Sequence, residues 1–549
     1  MKKMLACKIS QALDKLAAAH NADLSAAKGR FVVEEPRDPD HGHLATNAAM
    51  VMSKIFSQKP VELAERIMAE INNDEGYIEK MEKAGPGFIN FTLSLKWWAK
   101  ALNDLLEAGG EFGRGQAKGL KVMVEYVSAN PTGPLHVGHG RGAAIGDALA
   151  RVMAFAGYEV TREYYINDAG RQMSILGESV YARLKELAGS AEPFPEDHYK
   201  GDYIIDLAKE IKAVKGEELL AMPREEAVEL LTDFAQTRIM DGIKDDLAAF
   251  RVGHEVWFSE KSLYADGQVD KALNFMNDKG YLYEKDGALW FRAEALGDDK
   301  DRVLIKSGGE KTYFAADIAY HWNKYQRGFD QVIDIWGADH HGYVSRMKAA
   351  VEALGRSRDD LDVVLVQLVS LVRDGKIVPM TTRGGIFVTL REIVDEVGAD
   401  AARFIFLTRS PDTTLEFDLD LAKTKTKDNP VYYVQYVGAR IESILRSAPE
   451  TLAAKPDLAL LNQPEELALI KHLTSFPELI QSAAQRREPH HLTAYLSTLA
   501  RLFHHYYGCH RIAVEDQALA SARLALAKAV RQVVRIGLSL LGVESPDSM

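Results

Sequence analysis

The spacing of hydrophobic and polar positions changes several times along the chain, and each change predicts an element. Leu5, Ile9, Leu13 and Leu16 recur at helical spacing, so the chain opens with an amphipathic helix. A strand is predicted over 31–34, helices over 47–57 and 60–71, and a strand over 87–93 before a further helix. This α+β unit ends near residue 112, and the Gly-rich stretch 109–118 reads as a linker. At 121–127 a β-branched and aromatic run predicts a strand, followed by a Pro/Gly/Asn loop and an Ala-rich helix to 149. Further strands are expected at 158–165, 288–291, 302–305, 330–336 and 363–367, with a mostly helical, charged insertion over about 173–287. Strands alternating with helices imply an α/β core, a Rossmann-like doubly wound parallel sheet. From Asn429, a helix cap with Pro430 at the first helical position, only helical spacing remains, with Val431, Val434, Val437, Ile441, Ile444 and Leu445 on one face. The expected division is 1–112, 113–374, a connecting segment 375–427, and an all-α bundle 428–549.

Composition narrows the class. No apolar run is long enough to span a membrane. Two cysteines, Cys7 and Cys509, build neither a disulfide framework nor a zinc cage, so a reducing, cytoplasmic setting and no protein-held metal are expected. The net charge of −12 argues against nucleic acid as a partner, yet phosphate contacts are made by one face. Two local basic features survive: Arg523, Lys528, Arg531 and Arg535 within 521–540, and Lys423, Lys425 and Lys427. Each is equally well an ordinary solvated face.

The candidate chemistry gathers just after strand ends, where open α/β sheets bind ligands. Glycines 138, 140 and 142, a helix start and the side chains of His136 and His139 form a ready cradle for a nucleotide phosphate. The spacing fits neither a dinucleotide fingerprint nor a Walker loop. No third zinc ligand lies near the histidine pair. Tyr313, Asp317, Asp339 and His340 follow later strands. Asp374-Gly375 predicts a hairpin, and Gly384-Gly385 marks a loop. Phe503 to Tyr507 could stack on bases or serve a core.

His136-Val137-Gly138-His139 resembles the HIGH signature of class I aminoacyl-tRNA synthetases. The flanks Ser128 to Leu135 and Gly140-Arg141 resemble the arginyl form. His41 to Asn47 and Gly85 to Asn90 resemble that family's N-terminal extension, and Asn429 to Tyr436 the start of its helical anticodon-binding domain. The resemblance implies ATP-dependent ligation of arginine to tRNA through an adenylate, with ATP as substrate, Mg2+ accompanying it, and a monomeric protein. It implies that His136, Gly138, His139, Gly140, Asp339, His340 and Met380 meet ATP, and that Glu125, Asn130, His136, Tyr313 and Asp317 meet arginine. Met380 matches the KMSKS-type loop, but Pro379 and Thr382 stand where its lysines would be. Lys376 and Arg383 are therefore the candidates, with His136 and His139, for the catalytic phosphate contacts. A tRNA-binding protein without activity and a small-molecule adenylyltransferase remain alternatives.

Overall fold

A computed structural model describes residues 1–25, 29–215, 218–379, 387–447 and 455–549. Met380 and Arg383 lie outside the described residues.

Among the described residues the organising element is a five-stranded sheet. Its strands are β1 (Lys121–Glu125), β2 (Glu159–Ile166), β3 (Val256–Ser259), β4 (Gln331–Gly337) and β5 (Leu361–Val366), in spatial order β5-β4-β1-β2-β3. All four pairings are parallel. The strand order reverses between β1 and β4, which makes their carboxyl ends the switch point where ligands bind such sheets.

Strand periodicity divides the buried residues between two faces. Val122, Val124, Ile333 and Ile335 join a core that contains the helix Val137–Phe155. Val332 and Leu361 face a second core built by the helices Tyr313–Gln326 and Val344–Ala353. Gly146 lets the first helix approach β1, because a Cβ there would come within 2.3 Å of the Tyr126 ring.

Two expectations are corrected here, and one reading left open by the sequence is narrowed. Residues 288–291 and 302–305 do not belong to the parallel sheet; with Leu282–Lys285 they form a separate antiparallel sheet. Strand β3 lies inside the stretch 173–287 that reads as a helical insertion, and it forms an edge of the main sheet. Its four half-buried residues are too few to interrupt the helical signal around them. The basic stretch 521–540 is largely neutralised. Arg523 is buried against Glu466, Arg531 pairs with Glu442 and Asp547, and Arg535 pairs with Asp547.

The N-terminal region carries a four-stranded antiparallel sheet, including Ile78–Ala84, whose alternating charges gave no strand signal. His43 there is structural: its Nδ1 accepts the Leu93 N–H at 2.9 Å and its ring packs on Trp98. The C-terminal helices begin at Pro430–Ser447, where Asn429 Oδ1 accepts the Val431 N–H. Phe503 and Tyr506 are core residues, whereas His505 and Tyr507 are exposed. Arg403 sits fully buried between Asp147, the Phe250 carbonyl and the Leu541 carbonyl, joining the helix Val137–Phe155 to the end of the helix Gln517–Leu540. No described helix is long and apolar enough to cross a membrane.

Candidate active site

A cleft of about 1040 Å³ opens at the switch point, lined from β1, β2, β4, β5 and the loops that follow them. Glu125, Asn130, His136, Gly138, His139, Asp317, Asp339 and His340 all reach it.

The loop after β1 is held in an unusual backbone. Val127 has φ +70° and Ser128 φ +40°, a left-handed pair that side-chain-bearing residues adopt at a cost of about 1–3 kcal/mol each. Contacts on both sides fix it. Ser128 Oγ donates to Glu125 Oε1 at 2.9 Å and accepts the Tyr165 N–H at 3.1 Å.

The helix Val137–Phe155 begins with a capping box made by the two histidines. His136 Nδ1 accepts the N–H groups of Gly138 and His139, and His139 Nδ1 accepts that of His136 at 3.2 Å. An Nδ1 that accepts carries no proton, so each neutral ring bears its proton on Nε2. Burial lowers the His136 pKa, and burial together with the neighbouring His136 holds His139 down at about 3. The rings stack with centroids 3.7 Å apart. The result is two neutral Nε2–H donors at the positive dipole end of a helix whose first N–H groups are already taken by His136 Nδ1 and the Val388 carbonyl. That arrangement suits a phosphate.

The three glycines divide in role. Gly142 lines the cleft and has open space where a Cβ would stand. A Cβ on Gly138 would press on the His136 ring. Gly140 turns away from the cleft and packs against Leu390 and Phe406, so it serves helix packing. Residues just beyond the stretch that holds Met380 and Arg383 are anchored at the histidines: Val388 and Leu135 carbonyls accept the N–H groups of Val137 and Leu390, and Phe387 lies edge-on to His136. The Asp374-Gly375 hairpin forms as expected, but Lys376 stands exposed on it and does not line the cleft.

Beneath the cleft runs a row of three acids, of which Glu125 and Asp334 line it, and sequence reading found the row only in part. Glu163, Glu125 and Asp334 are register partners across β2, β1 and β4. The helix Tyr313–Gln326 lies over them. Lys324 Nζ donates to Glu125 Oε2 at 2.6 Å and Asp334 Oδ1 at 2.9 Å, Tyr320 donates to Glu163, and Arg327 forks onto Glu163. His321 Nδ1 donates to the Asp317 carbonyl, leaving Nε2 facing Asp334 Oδ2 at 2.9 Å. Burial works to raise Asp334, but Lys324 and His321 outweigh it and hold it at about 2. Burial wins at Glu125, whose pKa rises against the pull of Lys324. The spacing 317, 320, 321, 324 is one helical face, and this polar stripe was the available signal.

Among the described residues Asp317 faces the cleft with no ion-pair partner in contact, Lys324 and His321 acting on it only from a distance. Burial raises its pKa, opposed by the Tyr343 hydroxyl that donates to it. Glu125, by contrast, already has both oxygens engaged. Asn130 Nδ2 donates to Gln172. Tyr313 is 62% exposed, near Gly170 and outside the cleft lining. Asp339 and His340 are exposed on the lip after β4.

The comparisons with known proteins agree along the chain. The model described as "tRNA synthetases class I (R), catalytic domain" matches residues 101–414. "Arginyl tRNA synthetase N terminal domain" matches 3–93, and "DALR anticodon binding domain" matches 434–549. The arginine–tRNA ligase of Desulfosudis oleivorans is 52% identical over 94% of this chain and 94% of its own length. That of Desulfovibrio desulfuricans is 51% identical over 95% and 96%. The Thermus thermophilus arginyl-tRNA synthetase structure, 23% identical, superposes over all of both chains with a TM-score of 0.78, a likeness of fold.

Proposed function

The chain belongs to the arginyl-tRNA synthetase family, and from that premise we propose how its cleft works. The protein is an arginine–tRNA ligase: with ATP it charges tRNA with arginine for translation. The observation that carries the reading of the cleft is the pairing of two fixed Nε2–H donors at a helix N-terminus with an uncompensated, recessed carboxylate, Asp317, across the same cavity.

In this reading the arginine carboxylate attacks the α-phosphate of ATP, pyrophosphate leaves, and a terminal hydroxyl of tRNA then takes the arginyl group and releases AMP. His136, His139 and the helix N-terminus stabilise charge growing on the phosphoryl oxygens, where one well-placed donor contributes about 3 kcal/mol. No protein nucleophile is required. Glu125, Asn130 and His136 come from the segment that carries the histidines, so they meet the reacting end of arginine. Asp317 comes from another helix and takes the guanidinium, whose planar fork a carboxylate matches in two bonds. Lysine lacks that fork, and uncharged analogues leave Asp317 buried and unpaired.

Gly138, Asp339 and His340 flank ATP, which brings Mg2+ with it as part of the substrate. Met380 is proposed to meet ATP and Arg383 its pyrophosphate, supported by the anchoring of residues 387–390 beside His136. Lys376, exposed on the hairpin and outside the cleft lining, is proposed as a pyrophosphate contact from its place in the sequence alone. Gly140 and Tyr313 act from the periphery, as packing and rim. The division into 1–112, 113–374, 375–427 and 428–549, a monomeric state and a cytoplasmic location complete the proposal.

Arginine-dependent ATP–pyrophosphate exchange, run with and without tRNA, tests it. Exchange that requires arginine, and that Asp317→Asn weakens at least about 30-fold while tRNA binding persists, is expected. Exchange equally supported by lysine in the Asp317 protein would overturn the assignment.

A further inference from the structure

The helical C-terminal region holds a group of unlike donors that the ligation reaction does not use. His505 and Cys509 stand one turn apart at the end of the helix His490–Cys509, and Glu465 stands in the first turn of the neighbouring helix Pro464–Thr474. One ligand atom from each lies within 4.8 Å of the other two. Cys509 Sγ is 3.9 Å from His505 Nε2. Around a tetrahedral zinc, bond lengths of about 2.3 Å to sulfur and about 2.05 Å to nitrogen set a sulfur–nitrogen edge of about 3.6 Å. Thiol and imidazole are therefore a few tenths of an ångström from a chelating pair, a gap that side-chain torsion closes.

The surroundings favour a cation independently of that spacing. His510 Nε2 lies 2.9 Å from Glu465 Oε2, the outer hydrogen bond that orients a ligating carboxylate. The helix that carries His505 and Cys509 ends there, and its terminal carbonyls add negative potential. Both residues are exposed, so the site can load from solution. A thiolate, an imidazole and a carboxylate select borderline-soft ions over Mg2+ and Ca2+.

We propose that Glu465, His505 and Cys509 bind a divalent cation of the zinc class, with a fourth position open to water, joining the end of one helix to the start of its neighbour. It was invisible in sequence because the carboxylate comes from a separate helix.

The test uses the full chain, freed of metal and without ATP. Added Co2+ should give a thiolate-to-cobalt charge-transfer absorption that saturates at a single equivalent and that Zn2+ displaces. Cys509→Ser and His505→Ala should each lose the band, Cys7→Ser should keep it, and His510→Ala should weaken Zn2+ binding by about 10- to 100-fold. Arginine-dependent exchange at the wild-type level in Cys509→Ser shows that this variant is folded. Absence of the band from the wild-type chain, or its survival in Cys509→Ser, overturns the proposal.

Discussion

Replacing Lys324 by methionine should damage the protein more than any other single exchange of a charged residue on its helix. The ammonium is fully buried, 2.6 Å from Glu125 and 2.9 Å from Asp334, which are partners on adjacent strands. Methionine keeps the volume but removes the ammonium that lies between the two carboxylates, leaving only His321 on Asp334. Removing one partner of a buried ion pair typically costs about 3–5 kcal/mol. At roughly 2–4 °C per kcal/mol for a domain of this size, the apparent Tm should fall by about 6–20 °C. The loss should depend on pH with a defined sign. In the wild-type protein Asp334 is held at about 2, so its stabilisation is present above its unfolded value and lost as pH falls towards 2. In Lys324→Met both carboxylates titrate above their unfolded values, the folded state takes up protons first, and the variant recovers relative stability as pH falls from about 7 to 5. Thermal melts at one scan rate across that range measure the gap. Adding Asp334→Leu to the variant should restore part of the loss. A fall below about 2 °C at neutral pH, or a gap that does not narrow on acidification, would refute the reasoning.

Four further outcomes are expected. Asp317→Asn should lower kcat/KM for arginine by about 30- to 4,000-fold, equivalent to about 2–5 kcal/mol, and should remove the Tm increase that arginine gives the wild-type chain. His136→Asn keeps a good helix cap but loses the Nε2–H donor, so exchange should slow by about 10²–10³ while Tm stays within about 2 °C. Gly142→Ala has no atom within 4 Å of its new Cβ and should raise stability by up to about 1 kcal/mol while raising KM for ATP. Gly140→Ala places its Cβ 2.7 Å from Leu390 Cδ1 and should lower Tm instead.

Much of the site was legible in one stretch, 121–149, because there the binding elements are consecutive. A strand, a strained turn and a capped helix place their polar groups together whatever the rest of the chain does. Gly140 shows the limit of that reading. A glycine beside a ligand loop and a glycine under a neighbouring helix look alike in sequence, and only Leu390 and Phe406 distinguish them. Strand β3 escaped because a short edge strand buries too little to print a period of two.

By itself, then, the sequence determined the local chemistry: the histidine cap, the apolar strands, the hairpin at Asp374-Gly375 and the helices after Asn429, each specified by residues within a few positions of one another. Tertiary structure decided which charges remain available. Glu125 and Asp317 read alike as candidate acceptors for a cation, yet Lys324 pairs directly with the first, and among the described residues no ion pair is made to the second. The arginines at 523, 531 and 535 read equally as a basic binding face or an ordinary solvated one, yet carboxylates from other segments claim them. The physical reason is the same in each case: a charge is settled by whatever lies within a few ångströms, and those neighbours come from distant parts of the chain.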